Sequence, residues 1–270
     1  MDVGMLGRFF GRLTGGNWRP PEQELRFAAA AGFDTLQIRS DRAGEIDDEL
    51  GIDALTLGAL FDDIGLEPVL EMLVRHDGER GTLARALRAN LAAIDAIGVL
   101  RVHIHPVGPS EAARLLHDDF AEAVDVAESA GVILGCEHNA PGHRLLVEPE
   151  EVEALLDAVP GLGFVWDVNH TRPEHTARFL AVRERFTLVH ASDTPLPETN
   201  HHLPLGRGNV DFSPLRDFED VPVILEIGGL PISGGPGFDT DDALLDSLAR
   251  LRAVDPGSPV DPGSGFEPGS

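Results

Sequence analysis

The stretch Val132-Ile-Leu-Gly-Cys-Glu137 is a short apolar run that ends in a carboxylate. Three later runs have the same form and end at Asp167, His190 and Glu226. Short apolar runs that alternate with helix-like segments are typical of buried parallel strands. Because parallel strands of an α/β fold end on one face of the sheet, we expect these four polar side chains to converge there.

Eight such strand-like runs can be recognised, at 3–5, 34–38, 67–73, 101–105, 132–137, 163–167, 186–190 and 221–227. Amphipathic segments between them predict helices at 21–31, 53–64, 83–97, 110–130, 149–158, 173–183 and 239–252, and 191–220 is a long loop region. Eight strands in 270 residues predict a single-domain α/β fold, a (β/α)8 TIM barrel over residues 1–252. Residues 253–270 repeat Pro-Gly-Ser and predict a disordered tail.

The composition excludes several classes of chemistry. Every basic residue is arginine, so a Schiff-base lysine, a pyridoxal phosphate lysine and a P-loop lysine are all excluded. Tyrosine is also absent, which excludes a tyrosine general acid. The net charge of −25 disfavours nucleic acid as a partner and is typical of acidic, salt-adapted proteins.

The sequence contains no long apolar stretch that predicts a membrane span, and its first residues lack the features of a signal peptide. We therefore expect a cytoplasmic protein. Cys136 is the one cysteine, so no intramolecular disulfide forms, and its position next to Glu137 on the other face of the strand predicts a buried structural thiol.

The alternation of side chains along each strand predicts that the four polar residues point into the barrel. Each shares its face with a small or branched residue that suits a barrel interior: Gly135, Val165, Leu188 and Ile224. One strand-end polar residue is ordinarily a loop cap or half of an ion pair. Three buried carboxylates without a cation would repel one another strongly, so the set of four predicts a divalent metal site.

The order of five motifs resembles the xylose-isomerase-like TIM barrel superfamily. These motifs are Gly135-Cys-Glu-His-Asn139, Trp166-Asp-Val-Asn-His170, Val189-His-Ala-Ser-Asp193, His202-Leu-Pro-Leu-Gly-Arg-Gly-Asn-Val-Asp211 and Ile224-Leu-Glu226. The superfamily contains sugar and sugar phosphate isomerases and epimerases, inosose-processing enzymes and the endonuclease IV family. The resemblance covers about residues 1–252.

The resemblance implies that Glu137, Asp167, His190 and Glu226 bind one divalent metal ion: manganese, magnesium, cobalt or zinc. It also implies catalytic roles for Glu137 and Glu226, which would stand on opposite sides of the substrate, one removing a proton and the other returning it. His170 corresponds to a position that contacts substrate or a second metal. His202 corresponds to a zinc ligand of the endonuclease IV branch, but the aspartate that accompanies it there is Asn200 here, which puts a trinuclear zinc cluster in doubt.

Three further residues are candidates for substrate binding. His105 lies on the inward face of its strand and is a metal ligand, a substrate contact or a rim histidine. Arg207 is a candidate contact for a substrate anion, and Trp18 either forms an apolar wall of the site or has an ordinary packing role. We expect His103 to be a hydrogen-bonded interior histidine, and we expect the remaining loop and helix histidines to lie at the surface: His76, His117, His143, His175 and His201.

The leading functional hypothesis is a metal-dependent isomerase or epimerase of a small sugar, polyol or hydroxyketone that works through an enediolate. An inosose-type dehydratase is the nearest alternative, because the same enediolate can expel a β-hydroxyl. An endonuclease IV-like abasic-site DNA endonuclease is an alternative of another class. A barrel that only binds a ligand would be expected to lack part of the ligand set, which is intact here. The resemblance also allows a homodimer, although the sequence has no interface signature.

Overall fold

The structure is a computed structural model that describes residues 1–9, 17–40, 51–218, 220–228 and 238–254. Eight parallel strands pair in chain order and close into a barrel, with β1 next to β8. The strands are β1 (Val3–Leu6), β2 (Thr35–Arg39), β3 (Glu67–Arg75), β4 (Arg101–Val107), β5 (Ile133–Glu137), β6 (Gly163–Asp167), β7 (Phe186–Ala191) and β8 (Val223–Leu225). The predicted single-domain (β/α)8 barrel is therefore confirmed.

Six α-helices of the described chain lie between these strands, and a seventh follows β8. They are α1 (Pro21–Ala31), α2 (Ala54–Ile64), α3 (Thr82–Ile97), α4 (Leu116–Ser129), α5 (Pro149–Ala158), α6 (Thr176–Ala181) and α7 (Asp241–Arg252). The predicted ends of the first and third helices are confirmed, because Gly32 and Gly98 adopt left-handed backbone angles there. The region 191–220, predicted as a loop, contains a single described 3-10 turn at Ser213–Asp217 after the end of β7.

Some predicted boundaries differ from the structure. The fourth and sixth predicted helices each begin as a 3-10 helix, at Ser110–Leu115 and Pro173–His175. Strand β8 begins at Val223 rather than 221, and the proline at 222 has no N–H to donate to a neighbouring strand. Strands β3 and β4 run two residues past their predicted ends because they pair with each other as far as Arg75 and Val107.

The core has two parts. A large apolar cluster fills the space between the strands and the surrounding helices and includes Trp166 and Cys136. A small separate cluster lies inside the barrel and consists of Val69, Val165, Leu188 and Ile224. The last three were predicted to face inward, so the residues two positions further along their strands point into the barrel above this layer.

Two further predictions concern the C-terminal tail and membrane-spanning helices. The structure describes the tail only as far as Val254. The disorder predicted for residues 253–270 therefore stays a prediction. Within the described ranges, the structure contains no helix that is both long enough and apolar enough to cross a membrane.

Candidate metal centre

Four side chains meet at the carboxyl ends of the strands, as the sequence predicts. One ligand atom from each of Glu137, Asp167, His190 and Glu226 lies within 4.8 Å of the other three, and all four residues are buried. His190 is central to the group. Its Nδ1 atom is 3.3 Å from Glu137 Oε1 and 3.4 Å from Glu226 Oε2. The two glutamates thus approach the same nitrogen from two different strands.

The donor set fits a divalent cation. Glu137 Oε2 and Asp167 Oδ2 are buried and have no hydrogen-bond partner among the described residues. A carboxylate oxygen only accepts hydrogen bonds, and leaving a buried acceptor unpaired costs about 1–3 kcal/mol or more. A cation bound between these oxygens would remove that cost. Carboxylate oxygens and an imidazole nitrogen are ligands that manganese, magnesium, cobalt and zinc use in proteins.

The pKa values of the cluster describe the same excess of negative charge. Burial raises the pKa of Asp167 to about 7, and the charge of Glu226 adds to the effect. Burial opposes protonation of His190, but the charges of Glu137 and Glu226 outweigh it and raise the pKa of His190 to about 10. Without a metal, protons bound to Asp167 and His190 therefore reduce the negative charge of the cluster. A divalent ion would otherwise balance that charge.

Three neighbouring polar residues were not predicted from the sequence. Arg39 donates from Nε and Nη2 to the two oxygens of Glu71, at 2.7 Å each, and from Nη2 to Glu226 Oε1 at 3.0 Å. Gln37 donates from Nε2 to Glu71 Oε2 at 3.1 Å. A polar network on β2 and β3 thus supports the site. The sequence contains one indication of this network, because these polar residues stand at inward positions of two largely apolar strands.

His105 borders the centre on the β4 side. Its Nδ1 atom is 3.4 Å from Glu137 Oε2 and 3.8 Å from Glu71 Oε1, and its Nε2 is 2.7 Å from Asn139 Oδ1. Burial lowers the pKa of His105, but the charges of Glu137 and Glu71 raise it to about 9. The side chain is therefore placed beside the centre, in contact with one of the predicted metal ligands.

His170 and His202 border the centre on the opposite side. His170 Nδ1 is 3.2 Å from Asp167 Oδ2, and His202 Nδ1 is 3.0 Å from the backbone oxygen of Glu226. Asp167, His170 and His202 also form a group whose ligand atoms lie within 4.8 Å of one another. The amide oxygen of Asn200 is 2.9 Å from His202 Nε2.

Asn169 holds the loop that carries His202. Its side-chain oxygen accepts hydrogen bonds from the backbone N–H groups of His201 and His202. The backbone N–H of Asn169 donates to Asp167 Oδ1. Its Nδ2 atom is buried without a partner in the described chain. Asn169 lies inside the Asp-x-x-His motif, but motif matching gives a role only to the two end residues.

One histidine prediction was wrong, and another was correct only in part: His103 is a buried interior residue, as predicted, but it is not hydrogen-bonded. Neither ring nitrogen of His103 has a hydrogen-bond partner among the described residues, although Nε2 lies 3.5 Å from Glu137 Oε2. His76 is buried rather than at the surface, and its Nε2 is 2.9 Å from Asp119 Oδ2. His138 was not singled out, yet it is fully buried with Nε2 3.2 Å from the backbone nitrogen of Asp167.

Trp18 and Arg207 are the remaining two residues that were predicted to contact the substrate. Trp18 is 42% exposed and lines a different cavity of about 500 Å³, together with Arg8, Arg19 and Asp241. Arg207 is exposed in a turn where its backbone N–H donates to the oxygen of Pro204. Their proposed contacts with substrate stay predictions.

The fold is shared with solved sugar epimerases. A D-allulose 3-epimerase from Methylomonas sp. is 18% identical, with a TM-score of 0.74 over 94% of this chain and 98% of that chain. A D-psicose 3-epimerase from Clostridium cellulolyticum H10, solved with D-tagatose, is 12% identical, with a TM-score of 0.71 over 94% and 99%. The IolI protein, solved with a bound zinc atom, is 17% identical, with a TM-score of 0.72 over 93% and 96%.

A comparison of the sequence with curated proteins finds no match. A family model does match: residues 25–253, which are most of the chain, fit the family described as xylose isomerase-like TIM barrel. The closed barrel, the order of its strands and the four side chains at their carboxyl ends agree with this match. The chain belongs to the xylose isomerase-like TIM barrel family.

Proposed function

We propose that the protein is an enzyme, an isomerase or epimerase of a small sugar, polyol or hydroxyketone, and that it depends on one divalent metal ion. Glu137, Asp167, His190 and Glu226 hold the metal, which is manganese, magnesium, cobalt or zinc. The observation that carries the proposal is the convergence of four buried ligand atoms within 4.8 Å of one another, two of the residues having a carboxylate oxygen without a hydrogen-bond partner.

When bound, the metal ion would supply Lewis acidity to the substrate, which would make the C–H proton next to the carbonyl group more acidic. Glu137 and Glu226 then act as the acid–base pair. One carboxylate removes this proton, which leaves the substrate as an enediolate, and the other carboxylate returns a proton to the opposite face. The positions of Glu137 and Glu226 support these separate roles. Their carboxylates approach His190 Nδ1 at similar distances, one from the end of β5 and the other from the end of β8.

The flanking histidines bind the hydroxyl groups of the substrate. His105 lies beside Glu137, whereas His170 and His202 lie on the side of Asp167 and Glu226. Each has a ring nitrogen near the carboxylates, and imidazole N–H groups donate hydrogen bonds to hydroxyl oxygens. We propose that Trp18 and Arg207 contact more distant parts of the substrate.

Similarity in fold to the two sugar epimerases supports a sugar as the substrate. The inosose-type dehydratase remains an alternative, because the same two carboxylates would serve it. The endonuclease alternative is disfavoured by the amide of Asn200 against His202 and by the net charge of −25.

The test combines metal analysis with proton exchange. Wild-type protein, Glu226→Ala and the exposed control Glu174→Ala are analysed for bound metal and then titrated with Mn²⁺, Mg²⁺, Co²⁺ and Zn²⁺ while thermal unfolding is followed. We expect about one metal per chain in the wild type and in Glu174→Ala, and a loss in Glu226→Ala.

The loaded proteins are then incubated in D₂O with ketoses and an inosose, and NMR follows deuterium incorporation at carbon. Incorporation with epimerised or isomerised product supports the proposal, whereas an unsaturated product identifies the dehydratase. Two or three zinc ions with cleavage of abasic-site DNA would identify the nuclease. No metal and no thermal shift would contradict the proposal.

A further inference from the structure

Three arginines of the described chain have side chains with neither an ion pair nor a hydrogen bond: Arg75, Arg114 and Arg144. In a protein with 46 acidic residues, most of the described arginines face carboxylates, as Arg101 faces Glu67. The three exceptions are exposed and belong to consecutive units of the barrel. Arg75 ends β3, Arg114 lies in the 3-10 helix after β4, and Arg144 lies in the loop after β5.

A cavity of about 190 Å³ lies between the loops after β4 and β5. Its lining includes Val107, Gly108, Asn139, His143 and Arg144, and it contains no carboxylate among its described residues. The cavity at Trp18 differs in this respect, because its lining includes two aspartates. The volume is below the roughly 300–1,000 Å³ of sites that enclose a whole small ligand, so this cavity is suited to one part of a ligand.

The cavity shares a wall with the metal centre. The side-chain oxygen of Asn139 is 2.7 Å from Nε2 of His105, and Nδ1 of the same ring is 3.4 Å from Glu137 Oε2. The Asn139 amide group is fixed in this orientation, because its Nδ2 donates to the backbone oxygens of Pro106 and Leu145 at 2.9 Å each. A ligand at the centre is therefore separated from the cavity by a single pair of side chains.

Arg75 lies on the strand next to this wall. It pairs in register with Val107, which lines the cavity, and it is four residues beyond Glu71 on the inward face of β3.

We propose that this cavity binds an anionic group, a phosphate or a carboxylate, carried by the sugar substrate at a distance from its reacting carbons. The inference rests on the proposed function and names the class of its substrate. A chain of net charge −25 repels anions, so an anionic substrate needs a local region of unpaired positive charge. Arg144 supplies a planar guanidinium that matches either anion with two hydrogen bonds, and Arg75, in register with Val107 of the lining, supplies a second positive charge.

The first experiment measures anion binding without catalysis. Metal-loaded wild-type protein is titrated with inorganic phosphate and, separately, with acetate at constant ionic strength, by calorimetry. Arg144→Met and Arg75→Met are compared with Arg183→Met, which removes one exposed positive charge elsewhere. We expect saturable binding of at least one anion, weakened about tenfold by each of the first two substitutions and unchanged in Arg183→Met. Binding that is absent, or equally weak in all three variants, would overturn the proposal.

The second experiment measures turnover of matched substrates. Ketoses, their terminal phosphates and the corresponding keto acids are compared by NMR in D₂O. We expect kcat/KM to be at least about tenfold higher for one anionic series than for the neutral ketoses. Arg144→Met should remove this preference mainly through KM, while its activity on the neutral ketose persists.

The results of these two experiments distinguish the anionic subsite from the proposed epimerase reaction. Turnover of neutral ketoses without preference for an anion, unaffected by Arg144→Met, refutes the anionic subsite but leaves the epimerase intact. Saturable, Arg144-dependent binding of phosphate or acetate without any sugar turnover supports the subsite and refutes the proposed reaction. The anion that binds more tightly identifies the substrate group as a phosphate or a carboxylate.

Discussion

Gln37 fixes the orientation of the His190 ring. Its side-chain oxygen is 2.9 Å from His190 Nε2, while its amide nitrogen donates to Glu71 Oε2 at 3.1 Å. A carboxylate accepts hydrogen bonds only, so the amide nitrogen must face Glu71 and the amide oxygen must face the histidine. His190 therefore donates from Nε2, which leaves Nδ1 toward Glu137 and Glu226 as the atom available to a metal.

Gln37→Leu should weaken metal binding without removing a ligand. The substitution keeps the approximate size of the side chain but leaves the Nε2–H of His190 without its acceptor, so the ring is no longer held with Nδ1 toward the centre. Loss of such an outer hydrogen bond typically costs 10–100-fold in metal affinity. The dissociation constant for Mn²⁺ or Zn²⁺, measured by competition with a chelator, tests this expectation.

The matched control is Gln23→Leu, the same substitution at the exposed glutamine of α1. We expect its metal affinity to equal that of the wild type. If Gln37→Leu also bound metal as tightly as the wild type, the orienting role of Gln37 would be disproved.

Arg39→Met should destabilise the metal-free protein more than the metal-loaded protein. Arg39 lies between Glu71 and Glu226, and its charge holds the pKa of Glu71 well below its usual range despite burial. Removing one partner of a buried ion pair costs about 3–5 kcal/mol, because the remaining charge is left uncompensated. A bound metal compensates Glu226, so the loss in the free energy of unfolding should be smaller with metal present.

Urea unfolding with and without metal measures both quantities. Arg101→Met is the control, since Arg101 pairs with Glu67 at the amino-terminal ends of β4 and β3, away from the centre, where both side chains are partly exposed. We expect it to cost less than about 1 kcal/mol in either state. An equal loss for Arg39→Met with and without metal would mean that the metal does not share the charge of Glu226.

The four residues of the centre could be predicted because each one interrupts a pattern. A polar residue at the end of an apolar strand has few structural explanations, and the alternation of side chains determines which way it points. Val165, Leu188 and Ile224 do lie inside the barrel, and Asp167, His190 and Glu226 follow them by two positions.

The supporting residues were missed for a physical reason. Gln37, Arg39 and Glu71 lie on strands that also carry ordinary polar residues, and only the three-dimensional pairing of β2 with β3 shows that they face one another. The errors in the predictions for His76 and His103 have the same origin. His76 depends on an aspartate 43 residues away, and the environment of His103 depends on the pairing of β4 with β5.

Gly58→Ser should destabilise the fold although serine is the better helix former. A Cβ atom at Gly58 of α2 would lie 2.2 Å from the backbone oxygen of Ala96 in α3, which cannot move without displacing that helix. Helix propensity alone favours the substitution by a few tenths of a kcal/mol, whereas overpacking costs about 1–3 kcal/mol. Ala59→Ser, at the exposed neighbouring position, should change stability by less than about 0.5 kcal/mol.

Thermal and urea unfolding of these two variants distinguish the explanations by sign. A stabilised Gly58→Ser would show that propensity dominates and that the two helices separate easily. A loss confined to Gly58→Ser would show that close helix contact requires glycine at this position.

Cys136 should make the protein less stable as the pH rises above about 9. Burial raises the pKa of its thiol from 9.0 to about 12. Between these values the unfolded chain has released the thiol proton and the folded chain has kept it. The free energy of unfolding therefore falls with pH in this range, by about 1 kcal/mol for each pH unit. Lysine and tyrosine, which usually titrate here, are absent from the chain.

Urea unfolding of wild type and Cys136→Ala at about pH 8 and about pH 10 isolates this contribution. Cys136→Ala should be less stable than the wild type at both pH values, because it leaves a small cavity under the helices. The change between the two pH values is the informative quantity. Titration of His190, whose pKa is about 10, affects both proteins equally. The wild type should lose about 1 kcal/mol more than the variant; equal losses would show that the folded thiol ionises as readily as the unfolded one.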